Sequence, residues 1–375
     1  MHSEIDPQKQ NIAKKYFLTN FYISKTDTVI SLLVLILVIA AGYSLKLSLL
    51  LKSYHVILYR SIYFTAFYTL FFAVSWPFSY ISSYKIEHKY DFSNQSFKEW
   101  LIDQIKGYFV SLVLGLIIVN VFYFIVNLSP GLWWFWVGLV MILFSVILQH
   151  LAPVILIPIF YKLEPLEDET LKSKLLDLAG KAKVRVIGIF NIKLSEKTKK
   201  ANAALTGLGS TRRMLLGDTL IKNYDQEEIE TVIAHELGHH IHHHILKLMA
   251  FGGVLTMLSA YILFRILPAV LNILDLGAVG DIASFPGLVL VSGTISFFFN
   301  PLSNYFSRIL ETQADDTAVN LSMKPEKFIS TMSKFANLYL SYAYPPKLIE
   351  WLEYNHPPIG KRIERVRNSD PTTSL

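Results

Sequence analysis

The residues of this chain whose types and spacing favour chemistry lie in the stretch Val232–His240, which contains the pattern His-Glu-x-x-His. On a helix with 3.6 residues per turn, His235 and His239 project from one face and can bind the same ion. Glu236 lies one step round the helix, where it can take a proton from metal-bound water. The pattern therefore predicts a zinc peptidase, and the rest of the chain must supply a third ligand and a substrate site.

The best candidate for the third ligand is Glu311, which is followed four residues later by Asp315. A catalytic zinc needs three protein ligands and an open position for water. We expect Glu311 at the start of a helix, with Asp315 on the same face. Asp315 can then hydrogen-bond the outer nitrogen of a zinc-bound histidine and set its tautomer. The chain has no cysteine, which excludes thiolate ligands, thiol nucleophiles and disulfides.

Each of these residues also has an ordinary structural interpretation. His-Glu-x-x-His occurs by chance in long sequences, and Glu311 is also consistent with a carboxylate favoured by a helix dipole. Asp315 and Arg308 are also consistent with a surface salt bridge. A surface basic or adventitious metal patch is an alternative for His239, His240, His242, His243 and His244. The catalytic interpretation is favoured by the apolar residues before His235, the distal acid at a membrane exit and the strands upstream.

Composition places the chain in a membrane. Of its 375 residues, 52% are hydrophobic and only 17% are charged, and the mean hydropathy is +0.39. Soluble domains contain about 25% charged residues. The net charge of +6 comes from basic residues in short clusters between apolar runs, as in loops that flank membrane spans. We therefore predict a lipid bilayer as partner and no nucleic acid.

Six apolar runs are long enough to span a bilayer, which needs about 20 mainly apolar residues. They are Thr28–Leu51, Ser61–Tyr84 with a kink at Pro77, two spans within Gly107–Gln149 separated by a turn at 127–131, a run over 248–274, and Ile282–Ser307. The segment 85–106 is expected as a polar loop. These runs predict a mainly α, polytopic membrane protein with about six transmembrane helices.

A polar region between the fourth and fifth spans predicts a small α+β zinc-peptidase domain containing a short sheet. Lys183–Ile189 alternates like a strand, and two more strands are expected around the turn at 207–210. Asp225, with Glu228 three residues later, predicts the capped start of the metal-binding helix. The remainder, 308–375, is expected to be helical.

The predicted division of the chain follows from these segments. It comprises an N-terminal membrane domain (1–160), a peptidase domain (161–245), a two-span membrane hairpin (246–307) and a C-terminal helical part that completes the zinc site (308–375). An even number of spans before the peptidase domain places both termini and the zinc site on one side. That side contains most lysines and arginines, so the positive-inside rule predicts that it is cytoplasmic.

Six ordered segments resemble the motifs of one known family. They are Ile86–Ser93, Ala201-Asn202-Ala203 with Gly207, Leu216–Leu220, Ala234–His239, Ser307–Asp315, and His356-Pro357-Pro358 with Arg362-Ile363. These segments resemble the zinc-dependent type I CAAX prenyl proteases, the family of the yeast a-factor-converting enzyme. The resemblance covers about residues 60–367. The six predicted spans, against seven in the eukaryotic enzymes, indicate a compact prokaryotic member.

The resemblance implies roles for individual residues. One zinc ion would be bound by His235, His239 and Glu311, with Glu236 as general base and Asp315 as an assisting partner or proton donor. Asn202, Ala203 and Gly207 would hold the substrate as an added β-strand. His356 and Arg362 would stabilise the oxyanion or grip the substrate carbonyl. The membrane helices would enclose a chamber, and the partner would be a polypeptide, lipidated in the family.

The sequence thus predicts an integral-membrane zinc metalloendopeptidase that cuts near the C-terminus of its substrates. One alternative is a quality-control protease of the related heat-shock membrane type, which cuts damaged membrane proteins. A second is a non-catalytic chamber protein, which would not require the set His235, Glu236, His239 and Glu311. A third, a transporter, is disfavoured because intramembrane charge is sparse.

Overall fold

The computed structural model describes residues 5–207 and 212–369 of the chain. Within this part of the chain, six helical segments are long and apolar enough to cross a membrane. They are Pro7–Ala40, Val56–Lys89, Phe97–Leu128, Trp133–Phe160, His244–Ile273 and Ile282–Ser322. Four precede the polar region and two follow it. The predicted fold class and number of spans are therefore confirmed.

The first membrane helix differs from its predicted limits. Helix α1 (Pro7–Ala40) begins where the Asp6 carboxylate accepts hydrogen bonds from two backbone amides of the first turn. Gly42 then adopts a left-handed φ of 66° and separates α1 from the short helix α2 (Tyr43–Leu51). The prediction of one span over Thr28–Leu51 was wrong because the cap at Asp6 extends the helix through polar residues and the turn at Gly42 interrupts it.

Two π-helical segments interrupt the next helices near prolines. Helix α3 (Val56–Ser79) contains Pro77 and continues through a π-helical segment, Tyr80–Ile86, into α4 (Glu87–Lys89). A second segment, Ala152–Leu156, contains Pro153 and leads into α7 (Ile157–Phe160). Proline lacks the amide that closes an ordinary helical turn, so a wider turn forms close to it.

The two spans predicted within Gly107–Gln149 are present between these segments. They are α5 (Phe97–Leu128) and α6 (Trp133–Leu151), joined at the predicted turn. A capping box formed by Ser96 and Glu99 starts α5. The prediction of a loop over 85–106 was therefore wrong for about two thirds of its length, because the preceding helix continues to Lys89 and the cap at Ser96 starts α5 before the first long apolar run.

A four-stranded mixed sheet forms the base of the polar region. Its strands are β1 (Leu163–Pro165), β2 (Gly188–Ile192), β3 (Ala203–Thr206) and β4 (Arg213–Gly217), in the order β1-β2-β4-β3. Strands β2 and β4 are parallel, and the other two pairs are antiparallel. The expected strands on either side of residues 207–210 are thus found as β3 and β4, although residues 208–210 lie outside the described residues. Strand β3 is left at one edge of the sheet.

The strand predicted over Lys183–Ile189 is displaced. Helix α8 (Glu169–Lys181) ends in a Schellman motif, in which Lys183 has a φ of 55° and the Val184 amide donates to the Ala179 carbonyl at 2.9 Å. Most of the alternating segment therefore belongs to the helix cap and the loop after it, and β2 begins only at Gly188. Apolar alternation cannot distinguish a buried helix end from a strand.

The remaining helices pack around the sheet. They are α9 (Asp218–Asn223), α10 (Gln226–Ile241), α13 (Pro325–Leu338), α14 (Lys347–Glu353) and α15 (Ile359–Ser369). The predicted capping box of Asp225 and Glu228 starts α10. Met214, Leu237 and Phe328, all at most 1% exposed, belong to one apolar core that joins the sheet to α10 and α13.

Two long helices connect the membrane-crossing part of the protein to this core. They are α11 (His244–Ile273) and α12 (Phe285–Ser322), and α12 packs along α10. Glu311 lies in the interior of α12 and not at a helix start, so that expectation was wrong. The 38-residue helix continues out of its apolar half because Glu311 and Asp315 are buried against α10 instead of facing lipid.

Candidate zinc-peptidase active site

Three candidate metal ligands converge from two helices. The Nε2 atoms of His235 and His239, both on α10, lie 3.2 Å apart. Glu311 of α12 places Oε2 3.2 Å from His235 Nε2 and Oε1 3.5 Å from His239 Nε2. The helical spacing of four residues produces the first pair, and the packing of α12 on α10 brings the carboxylate to it. One set of candidate metal-binding side chains therefore forms from two histidines and a glutamate more than 70 positions further along the chain.

The spacing of these atoms fits zinc. With zinc–ligand bonds of about 2.0–2.1 Å and tetrahedral angles, neighbouring ligand atoms lie about 3.3 Å apart. The three separations found here, 3.2, 3.2 and 3.5 Å, bracket that value. Glu311 Oε2 is buried and makes no hydrogen bond of good geometry with the described residues. A buried carboxylate oxygen is costly unless a cation binds it, so the donor set and its burial both suit a zinc ion.

A carboxylate and a guanidinium hold His235, the first candidate ligand. Asp315 Oδ1 lies 3.0 Å from His235 Nδ1, the nitrogen on the far side of the ring from the ligand triangle. Arg362 of α15 donates from Nε to Asp315 Oδ2 at 2.8 Å and also pairs with Oδ1. The resemblance assigns Arg362 a contact with substrate. In the structure Arg362 contacts Asp315, which in turn lies beside His235. Arg308 instead donates to backbone carbonyls, so the alternative pair Arg308–Asp315 is not formed.

The histidines that follow the metal motif are largely internal. His244 is fully buried, and its Nδ1 lies 2.9 Å from His239 Nδ1. His240 is also buried, with Nε2 3.3 Å from the Leu205 carbonyl. His242 Nε2 lies 2.8 Å from Thr317 Oγ1. The interpretation of this cluster as a surface patch is therefore wrong for His240 and His244. The only signal in the sequence was their position just after His239.

A cavity of about 150 Å³ joins His235, one of the candidate ligands, to the predicted substrate residues. The predicted site residues that line it are Asn202, Ala203, His235, Glu236, His356 and Arg362. Apolar side chains, among them Val232 and Met332, form another part of its wall. Gly207, with a φ of 88°, lines a separate cavity beside His150 and Arg213. The structure therefore brings together all the predicted substrate residues except Gly207.

Strand β3 presents its open edge beside this cavity. The Gly217 amide donates to the Asn202 carbonyl at 2.8 Å, and Ala203 is the register partner of Leu216. Because hydrogen-bonded pairs alternate along an antiparallel ladder, the backbone groups of Ala203 and Leu205 face the open edge. Leu205 instead faces α10: its carbonyl lies 3.3 Å from His240 Nε2, and its backbone lowers the pKa of the nearby Glu236 carboxylate. The edge groups of Ala203 thus remain oriented towards the cavity.

Burial tunes the titrating groups of the site. Burial raises the pKa of Glu236, and the nearby Glu311 carboxylate raises it further. Burial and the neighbouring His235 lower the pKa of His239 to about 4, so its imidazole is neutral and able to bind a metal. For His235, burial alone would lower the pKa, but the neighbouring carboxylates of Asp315 and Glu311 outweigh it and raise the pKa to about 9. A metal must therefore displace a proton from His235 to bind there.

His356 approaches the site from the loop before α15. Its Nε2 lies 3.2 Å from Glu311 Oε1, and its side chain is 51% exposed. Asn355 Oδ1 lies 2.8 Å from its other ring nitrogen. His356 therefore borders both the ligand carboxylate and the cavity, where its ring can reach a bound peptide.

The fold and this site define an integral-membrane zinc metalloprotease. The profile of peptidase family M48 matches residues 165–370. A profile described as the CAAX prenyl protease N-terminal region, with five membrane helices, matches residues 1–162. The chain belongs to peptidase family M48, whose members depend on zinc. The resemblance inferred from the sequence motifs is thereby confirmed.

Individual relatives agree with this assignment. The "Uncharacterized metalloprotease YhfN" of Bacillus subtilis is 29% identical over 291 residues, covering 76% of this chain and 68% of the relative. The "CAAX prenyl protease 1 homolog" of Arabidopsis thaliana is 30% identical over 300 residues, covering 77% and 68%. Ste24p of S. mikatae, a solved structure, superposes with a TM-score of 0.85 over 96% of this chain and 90% of its own, at 22% identity, and shows the same fold.

Proposed function

We propose that this membrane zinc protease hydrolyses polypeptides close to their C-termini, at the cytoplasmic face of the membrane. The observation that supports this most directly is the convergence of His235, His239 and Glu311 beside Glu236 and the open edge of β3. An exopeptidase of free peptides would not require a site built on a membrane-spanning helix.

In the proposed mechanism, His235, His239 and Glu311 hold the metal. A zinc ion bound there supplies Lewis acidity, which polarises the scissile carbonyl and lowers the pKa of water towards about 7. Glu236 accepts the proton of the attacking water and delivers it to the leaving amine nitrogen. Because burial raises its pKa, the Glu236 carboxylate is a stronger base than an exposed glutamate. Asp315 and Arg362 keep the His235 ring oriented throughout.

Substrate would bind as an added strand at Ala203. Its backbone groups face the open edge, and main-chain pairing reads peptides without regard to sequence. The adjoining cavity of about 150 Å³ would accept one mainly apolar side chain next to the scissile bond. His356 would donate a hydrogen bond to the carbonyl oxygen as negative charge develops there.

Lipidated substrates and a cytoplasmic site extend the proposal. Several relatives carry the name CAAX prenyl protease 1 homolog, which supports a substrate with a prenylated C-terminus. Glu311 lies on α12, one of the membrane-crossing helices, so a substrate anchored by a lipid would meet the site at the membrane surface. The clustering of lysine and arginine on the same side as the peptidase region supports the cytoplasmic orientation.

The test uses the full chain in liposomes with a matched pair of peptides, one prenylated near its C-terminus and one not, and with an unfolded membrane protein. We expect faster cleavage of the prenylated peptide, and cleavage of every substrate slowed about 10²- to 10⁴-fold in Glu236→Gln. Preferential cleavage of the unfolded membrane protein would replace the proposal with the quality-control alternative. Equal cleavage by Glu236→Gln would contradict the assigned general base.

A further inference from the structure

His239, the second proposed ligand, contacts His244, which in turn contacts Gln313. The proposed mechanism does not use His244 or Gln313, and the three residues together are called the relay. His239 Nδ1 lies 2.9 Å from His244 Nδ1, and His244 Nε2 lies 3.0 Å from Gln313 Oε1. The His244 side chain is fully buried. The three side chains therefore form a continuous path of contacts behind the ligand triangle.

The direction of the hydrogen bonds in this path follows from its two ends. Gln313 Oε1 can only accept, so His244 carries its hydrogen on Nε2 and presents a lone pair at Nδ1. His239 Nδ1 must then donate, which leaves the lone pair of His239 on Nε2. Nε2 is the atom that faces His235 and Glu311. The reversed direction would place a hydrogen on that atom and prevent it from binding a metal.

We propose that His244 and Gln313 are positioning residues that fix the tautomer and the ring orientation of His239 for zinc. The proposal rests on the proposed role of His239 as a ligand. In this role His244 and Gln313 support His239 as Asp315 supports His235 on the other side of the site. Partners of this kind orient metal-binding histidines and raise their basicity.

The relay also connects the site to α11 and α12, the two membrane-crossing helices that follow the peptidase region. His244 is the first residue of α11, and Gln313 lies on α12. His243, with a left-handed φ of 53°, makes the turn between α10 and α11 that returns the His244 ring to His239. The orientation of the ligand on α10 therefore depends on the start of one membrane helix and the interior of the next.

Two pairs of variants of the full chain test the relay. Gln313→Leu removes the acceptor, whereas Gln313→Glu keeps an oxygen that can only accept. His244→Phe removes the ring nitrogens, whereas His244→Asn keeps an acceptor at the same number of bonds from Cα as Nδ1. His242→Gln is the matched control, because His242 also bonds α12 but does not touch a ligand. Zinc affinity is measured by chelator competition, and the visible absorption of Co²⁺ reports the ligand geometry.

We expect Gln313→Leu and His244→Phe to lose about 10- to 100-fold in zinc affinity, with an altered Co²⁺ spectrum. Gln313→Glu, His244→Asn and His242→Gln should remain close to the wild type. Wild-type affinity in both disruptive variants would overturn the relay, and so would an equal loss in all five. If buried His244→Phe does not fold, the Gln313 pair still decides. Because the readout is metal binding, a failure of the proposed peptidase activity would be seen separately.

Discussion

Gly238 lies against Ala314 so closely that a Cβ on Gly238 would be 3.1 Å from the Ala314 Cα. Gly238 is between the two histidines on α10, and Ala314 is one turn from Glu311 on α12. The missing side chain lets the helices approach until the carboxylate reaches both imidazoles. The glycine in the metal motif is therefore a packing residue for the ligand triangle.

Gly238→Ala should separate the helices and weaken the site. The added methyl group would also lie 3.1 Å from Thr317 Cβ, and overpacking of this kind costs about 1–3 kcal/mol. We expect a lower melting temperature and weaker zinc binding, measured in detergent. Gly180→Ala, on α8 with nothing within 4 Å of the new Cβ, is the control and should not weaken either property. Equal behaviour of the two variants would contradict the packing role.

Glu311→Ala should abolish zinc binding. The loss should exceed the roughly 10- to 100-fold that removal of a ligand's hydrogen-bond partner causes. Asp316→Ala provides a control on the same helix, because Asp316 forms an exposed pair with Arg365 away from the ligands. Metal content by mass spectrometry checks both. Full zinc occupancy in Glu311→Ala would remove the third ligand from the site.

Glu236→Gln should separate chemistry from metal binding. General base catalysis contributes about 10²- to 10⁴-fold, so peptide hydrolysis should fall by that factor while zinc stays bound. Turnover of a fluorescent peptide and metal content are measured on the same sample. Chelation of zinc from the wild type should abolish activity and re-addition should restore it, which provides the reference for complete loss.

Arg362→Gln should be far more damaging than a matched change at the surface. It leaves the Asp315 carboxylate, buried beside His235, without its guanidinium, and breaking a buried pair costs about 3–5 kcal/mol. Arg365→Gln breaks the exposed pair with Asp316 and should cost less than about 1 kcal/mol. Denaturant unfolding compares the two. Similar losses would mean that Arg362 does not support Asp315.

Ala203→Pro should raise KM without affecting zinc. Proline removes the backbone amide that faces the open edge of β3, so an added substrate strand loses one hydrogen bond. Ala204→Pro removes an amide that faces β4 and should instead destabilise the fold. Peptide kinetics and thermal unfolding distinguish the two variants. An unchanged KM in Ala203→Pro would argue against substrate binding at this edge.

Several features were predictable because they depend on neighbouring residues. The pattern of His235, Glu236 and His239 and the cap at Asp225 are local, and long apolar runs identify membrane helices by length alone. Helix limits were less predictable. The Asp6 cap, the turn at Gly42 and the Schellman motif at Lys183 decide where helices begin and end, and short apolar patterns do not reveal them.

The sequence by itself determined the class of chemistry, the membrane setting and the family, since motif spacing and hydropathy are properties of the chain alone. Only the tertiary structure decided how the parts support one another. It paired Arg362 with Asp315 instead of leaving it for substrate, placed Gly207 in a separate cavity and joined His244 to His239. These contacts join residues on different elements, and their distances depend on how closely α10, α11 and α12 pack.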